Sequence, residues 1–357
     1  MSAILQEAPA ESIPNYRSTL KKALPASVFQ PSLAPLWLFV PNAALIGVSL
    51  WLLTAYFSWW TAPLLAILIG NCMASLGFLA HDISHGGMVR QPFARDFLAG
   101  IAFSAFGIGP YLWRKWHNAA HHGNTQIEGE DPDHLLTMEH YRKSKILQWL
   151  YRLSPLARNV VIFGSFTFRM CQQTGMMMVR FWKSPEVDAK GRLNIVWQPI
   201  VQMGAWITLT LLIGGWPVLL FGYIIPLLVA NVIAISYIAT NHFLNPLADE
   251  RDVLATSLSV TLPTWLSWLD KWHLHFGAHV GHHLFPQASP TKQRYIERKA
   301  AELWPDRYHS MPMFSALKAL WDTPWVYDEE GTMLVNPRTQ EKSPTLGHGL
   351  ERRRKVK

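Results

Sequence analysis

Four long stretches without a charged side chain decide most of what this chain can become. Residues 36–57 read LWLFVPNAALIGVSLWLLTAYF and residues 61–79 read TAPLLAILIGNCMASLGFL. A second pair runs from about residue 196 to 213 and from about 216 to 238. A helix needs about 20 mostly apolar residues to cross the hydrocarbon of a bilayer, and each stretch is near that length. Four of them do not pack into one soluble core. Only Ser58, Trp59 and Trp60 separate the first pair, and Gly214-Gly215 the second, so each pair is expected to form a hairpin. Charged residues make up only 16% of the chain, against about 25% in soluble domains. The 17 tryptophans suit a protein whose aromatic side chains sit where lipid meets water.

Charge then orients the spans. The two hairpin tips, near Ser58 and Gly214, carry none, whereas Lys21, Lys22, Arg90, Arg95, Arg114, Lys115, Arg142, Lys143 and Lys145 all fall on the opposite side. By the positive-inside tendency that side, with both termini, faces the cytoplasm. The expected fold is an all-α integral membrane protein with four transmembrane helices in two hairpins and a cytoplasmic helical cap. It divides into an N-terminal segment 1–35, a membrane domain with its cap 36–310, and a C-terminal tail 311–357. Two further apolar stretches, 97–113 and 159–182, are interrupted by Gly107, Gly109, Pro110, Arg169 and Arg180. They read as helices lying on the membrane interface. The N-terminal stretch MSAILQEAPAESIPNYRSTLKK lacks the basic-then-apolar layout of a secretory signal.

Of the 15 histidines, five crowd into WHLHFGAHVGHH at residues 272–283. Others form HDISH (His81, His85) at the end of the second stretch and HNAAHH (His117, His121, His122) after it. His242 follows the fourth stretch in NHF, and HVGHH supplies His279, His282 and His283. An even number of crossings separates these groups, so all fall on the charged side. Residues three or four apart share a helix face. On that spacing His81 with His85, His117 with His121, and His279 with His282 and His283 can each aim at one point. Neutral imidazole binds zinc, copper, iron and nickel. One ion takes four to six donors, so nine imply two neighbouring metals. His273 and His275, two apart, face away from each other on a helix. His134, His140, His309 and His348 stand alone and read as surface or capping residues. Cys72 and Cys171 form no CxxC, and no thiolate site is expected. No basic run is interleaved with aromatics, so the net charge of +8 is assigned to a membrane face rather than nucleic acid. The tail ERRRKVK is read the same way.

HDISH, HNAAHH and HVGHH resemble the three histidine boxes of the integral-membrane fatty acid desaturase superfamily. The flanking HHGNTQIEGEDPD, HVGHHLFP and TNHFLNP are similar to its context over about residues 40–310. The resemblance implies two iron ions held by His81, His85, His117, His121, His122, His242, His279, His282 and His283. It also implies O2 as co-substrate and two electrons spent on desaturating an acyl chain carried by lipid, coenzyme A or a carrier protein. Gln126 departs from the pattern, where asparagine is common. No heme-binding HPGG segment is present, so the electron donor is expected to be a separate protein, such as a ferredoxin or a cytochrome b5 with its reductase.

The redox demand favours iron, since zinc has no redox chemistry. No Glu-x-x-His occurs, which sets the chain apart from soluble di-iron bundles. Metal-bound histidines usually give their second nitrogen to a carboxylate or carbonyl. Asp82, Asp131, Asp133 and Asn241 are the candidates by proximity in sequence. Two other readings stand beside the desaturase: a hydroxylase or ketolase of lipids or carotenoids with the same metal centre, and a metal transporter. The spans hold almost no ionisable groups to line a transport path. Arg90, Arg114 and Lys115 are read as positive-inside anchors.

Overall fold

The computed structural model describes residues 13–351. The chain is mostly helical. Three helical stretches are long and apolar enough to cross a membrane: Ala34–Ala55, Ala62–Ser84 and Ala189–His242, with mean hydropathies of 1.9, 1.9 and 2.5. The last has 54 residues, which as one straight rod would run about 80 Å. It does not. Gly215 adopts φ 69°, ψ −157°, a conformation open to glycine because it lacks Cβ. The Trp206 and Tyr223 rings stack with centroids 5.6 Å apart, where a continuous helix would hold them about 25 Å apart. The stretch therefore doubles back at the Gly-Gly pair, and the returning limb ends in the Ile225–His242 helix.

Helix α1 (Tyr16–Ala23) precedes α2 (Phe39–Ala55), α3 (Ala62–Ser84) and α4 (Pro92–Ala102). Central in this arrangement, α3 packs against α2, α4 and the Ile225–His242 helix. Some polar groups inside the bundle are tied together across helices. The Asn42 amide donates to Leu38 O at 2.9 Å and Ser75 Oγ at 3.1 Å, and Ser75 donates to Trp272 O at 2.7 Å. The outer surfaces carry exposed Trp37, Val40, Val48, Trp51, Leu64, Ile67, Ile200 and Leu212. At one end the two hairpin tips meet, with the rings of Trp59 and Trp216 5.9 Å apart. About 28 Å along α3 from Ala62 stands His81, at the opposite end. Helix α4 presents exposed Phe93, Phe97 and Ile101, and the Arg169–Lys183 helix exposes Met176, Val179 and Trp182.

The helical character expected of the chain holds, and among the described residues two small sheets are added to it. Strands β1 (Leu136–Thr137), β4 (Val326–Tyr327), β5 (Met333–Val335) and β6 (Lys342–Pro344) lie side by side in that order, β1 parallel to β4 and the rest antiparallel. A parallel pair joins β2 (Ser259–Thr261) to β3 (Ser310–Pro312). Two or three residues are too few to show an alternating pattern, and the β1–β4 and β2–β3 partners are remote in sequence. These strands tie the segment after residue 310 into the fold. Trp325, Val326 and Tyr327 are buried, and Leu346 N donates to Leu244 O at 2.9 Å. The basic run 352–357 lies outside the described residues.

Close packing of α3 on the returning limb depends on Gly70. A Cβ there would stand 2.6 Å from Val229 Cβ and 2.7 Å from Pro226 O. Gly70→Val should lower stability by about 1–3 kcal/mol, the range for overpacking. Gly47→Val, on an open face with nothing within 4 Å, should stay within about 0.5 kcal/mol. Thermal unfolding of the purified chain in detergent compares the two.

Candidate metal centre

Helix ends deliver the histidines. His81 lies in the last turn of α3 and His85 caps it. His242 is the final residue of the Ile225–His242 helix, and His279, His282 and His283 share the short helix His279–Leu284. The middle box behaves differently from the expected α-helix. Arg114–His121 is a π-helix, in which the His122 N–H bonds to His117 O, five residues back. Such widened turns recur at functional sites. Here the widening brings His117 and His122 together at a spacing of five, while His117 and His121, four apart as expected, also stay within reach of one another beside Asp133, their rings stacked 5.1 Å apart.

All nine histidines of the three boxes and NHF converge, in two groups. His81, His85, His117, His122 and His282 form one, and His121, His242, His279 and His283 the other. Within each group one nitrogen per residue lies within 4.8 Å of all the rest. Two imidazoles on opposite sides of an ion with bonds near 2.1 Å would sit about 4 Å apart, so the spacing fits one ion per group. The nitrogens point at each other: Nε2–Nε2 distances are 2.9 Å for His81–His117, 3.2 Å for His117–His122, 3.1 Å for His122–His282, 2.6 Å for His242–His279 and 3.0 Å for His279–His283. The groups adjoin through the stacked rings of His122 and His283, 4.2 Å apart.

Several outward nitrogens are held. His81 Nδ1 lies 2.8 Å from Asp82 Oδ1, and His121 Nδ1 2.9 Å from Asp131 Oδ1. His242 Nδ1 lies 3.3 Å from Thr256 O, and His283 Nδ1 3.3 Å from Thr125 Oγ1. A donor on Nδ1 leaves the Nε2 lone pair free for an ion. Asp133 stands further back, accepting from Trp116 Nε1 at 3.0 Å and Gln173 Nε2 at 3.0 Å. Asn241 is fully buried, but its side-chain atoms meet no partner among the described residues. Thr125 and Thr256 were invisible to sequence reasoning. Neither is charged, and Thr256 contributes only its backbone.

The third box is braced from outside. Ser259 on β2 bonds to the buried Glu297 and receives Val280 N–H at 3.0 Å. Arg294 ties Glu297 to Asp270, which holds His275 Nδ1 at 2.6 Å. His273 and His275 lie on a turn rather than the expected helix, with Leu274 and His275 at positive φ. The buried His273 contacts Tyr237 and Asn71 instead of either cluster. The four lone histidines also stay out of both groups.

A narrow cavity of about 50 Å³ opens beside His81, His117, His121, His242 and His279, with Asp133, Arg169 and Gln173 in its wall. A second, of about 30 Å³, shares His81, Trp113, Met170, Ile238 and Phe276 with it and runs on between Ala74, Gly77, Phe78, Phe103, Phe106 and Ile108. The larger groove of about 630 Å³ between α4 and the Ala189–Leu219 limb touches no histidine.

A sequence model of one family, described as fatty acid desaturase, matches residues 57–315. All nine clustered histidines fall inside that range. The sn-1 acyl-lipid omega-3 desaturase (ferredoxin) of Synechocystis sp. is 24% identical, over 87% of this chain and 88% of its own length. The omega-6 fatty acid desaturase, endoplasmic reticulum isozyme 1, of Glycine max is 25% identical over 91% of each. The sn-1 linoleoyl-lipid 6-desaturase of Arthrospira platensis is 36% identical over 20% of each.

Burial and mutual crowding push His85, His117, His122, His279, His282 and His283 well below the usual imidazole range. Burial works against protonation of His121 too, but Asp131 and Asp133 beside it hold it above that range. In the unfolded chain all seven titrate near 6.5. Below that pH the unfolded state takes up more protons than the folded one at six positions, so stability is full above about pH 6.5 and falls with acidification. His121 acts in the opposite sense and is outnumbered. The metal-free protein should therefore unfold at progressively lower temperature as the buffer goes from pH 8 to pH 5. A flat profile would show that these imidazoles are not buried neutral.

Proposed function

From the premise that this chain belongs to the fatty acid desaturase family, and so is an O2-dependent oxidoreductase, we propose that it is a membrane acyl-lipid desaturase in which nine histidines hold two iron ions. His81, His85, His117, His122 and His282 hold one, and His121, His242, His279 and His283 the other. The observation that carries this reading is the sorting of the three boxes and His242 into two convergent sets of imidazoles, all buried but the half-buried His122, beside a narrow, largely apolar tract. A histidine-held iron pair supplies, with O2 and two electrons, an oxidant able to remove hydrogen from an unactivated methylene. Iron rather than zinc meets that demand.

The chain's own residues do the rest. Asp82 and Asp131 fix the tautomer and tilt of His81 and His121. The two neighbouring cavities mark the path by which methylenes of an acyl chain would reach the histidines, between the polar Arg169 and Gln173 and the apolar Phe106 and Ile108, once the path widens to admit them. Electrons come from a separate donor protein, a ferredoxin or a cytochrome b5 with its reductase. The fold-back of the long third stretch supports a reading of four spans. The tryptophans at the joined hairpin tips sit at one interface. The basic cap, with the metal site and both termini, faces the cytoplasm, and α4 and the Arg169–Lys183 helix lie along that interface.

Expression in a host that lacks the product, followed by mass spectrometry of its lipids, tests the reaction. The expected product has lost two hydrogens; a gain of oxygen would assign a hydroxylase or ketolase instead. His121→Ala and His282→Ala, one from each group, should abolish the product while the protein still inserts, and activity in both would refute the site. Asp131→Asn should weaken iron retention about 10–100-fold, measured by metal analysis of the purified protein.

A further inference from the structure

We propose that Gln126 is a positioning residue for the four-histidine group, acting with Tyr327 of the C-terminal sheet; this rests on the two-iron reading above. Gln126 is the position where the sequence departs from the family pattern. Its side chain is wholly buried, yet its backbone has φ 62°, a left-handed conformation that asparagine tolerates better than longer side chains do. By backbone preference alone, glutamine is a poor choice here.

Its amide explains what that strain accompanies. Nε2 lies 2.8 Å from Tyr327 Oη and 3.0 Å from His242 O, with Asn245 O and Pro246 O at 3.3 and 3.4 Å. Four oxygens around one nitrogen fix the amide's orientation, because the flipped form would set Oε1 against three carbonyls. Tyr327 in turn donates to Asn245 O at 2.6 Å. On the backbone side, Gln126 N–H donates to Asp131 Oδ2 at 2.8 Å, while the other oxygen of the same carboxylate holds His121 Nδ1. One residue thus ties the carboxylate that aims His121 to the helix end that carries His242. Both histidines belong to the four-member group, and none of these bonds reaches the five-member group. Asparagine is about 1.5 Å shorter and cannot keep both the Tyr327 and His242 bonds.

The test sets backbone ease against side-chain reach. The full-length chain is loaded with iron, and its iron content and Mössbauer spectrum are followed during a chelator challenge. Gln126→Asn relaxes the backbone but loses the reach. We expect it to retain one of its two irons about tenfold less well than wild type, the lower end for groups behind metal ligands, with one spectral component fading and the other unchanged. Tyr327→Phe keeps the amide and removes only the hydroxyl, and should show the same selective loss; it decides the matter if Gln126→Asn does not accumulate. Retention and spectra equal to wild type in both variants would overturn the inference, as would equal loss of both irons, which marks general loosening. A wild-type chain that takes up no iron would sink the metal reading itself, and this inference with it.

Discussion

The Nε2 atoms of His242 and His279 stand 2.6 Å apart, and those of His81 and His117 2.9 Å. Nitrogens meet this closely only where at most one of each pair carries a proton, and protonated rings in such numbers would repel one another inside a medium that screens poorly. Crowding nine imidazoles into a largely buried space, with His121 alone backed by two carboxylates, is therefore the constraint around which this end of the bundle is built. It explains why carboxylates are few and placed behind particular rings. Asp131 backs His121 and Asp82 backs His81, while neutral oxygens of Thr125 and Thr256 back His283 and His242.

The bundle serves this constraint by holding helix ends still. His81 and His242 sit at the ends of two membrane-length helices that pack closely because Gly70 carries no Cβ against Val229 and Pro226. Short strands then tie the segments around the histidines to later parts of the chain. β1, just after the second box, pairs with β4 near the end of the chain, and β2 carries the serine that joins Glu297 to the third box. Positions brought together from residues 81 to 283 thus depend on the fold of the segment beyond 310.

How much could be read beforehand differs by element. Membrane-length stretches are legible because uncharged runs of that length have few other uses, and the Gly-Gly reversal because a positive φ selects glycine. Box membership was legible from the chemistry of clustered imidazoles. The π-turn was not: HNAAHH has the same residue spacing in an α-helix, and only the folded backbone shows that His122 bonds back to His117 and joins its group. The turn at His273–His275 and the six strands were hidden for a similar reason, being too short for periodicity to register.

By itself the sequence determined which runs are long and apolar enough to cross a membrane and which histidines are clustered enough to meet, because these depend on counts, run lengths and residue chemistry. Tertiary structure decided how nine histidines divide into five and four, which oxygens steer each ring, and that Gln126 and Tyr327 reach the end of the His242 helix. Those assignments rest on directions in space between residues up to two hundred positions apart, and a linear spacing carries no information about direction.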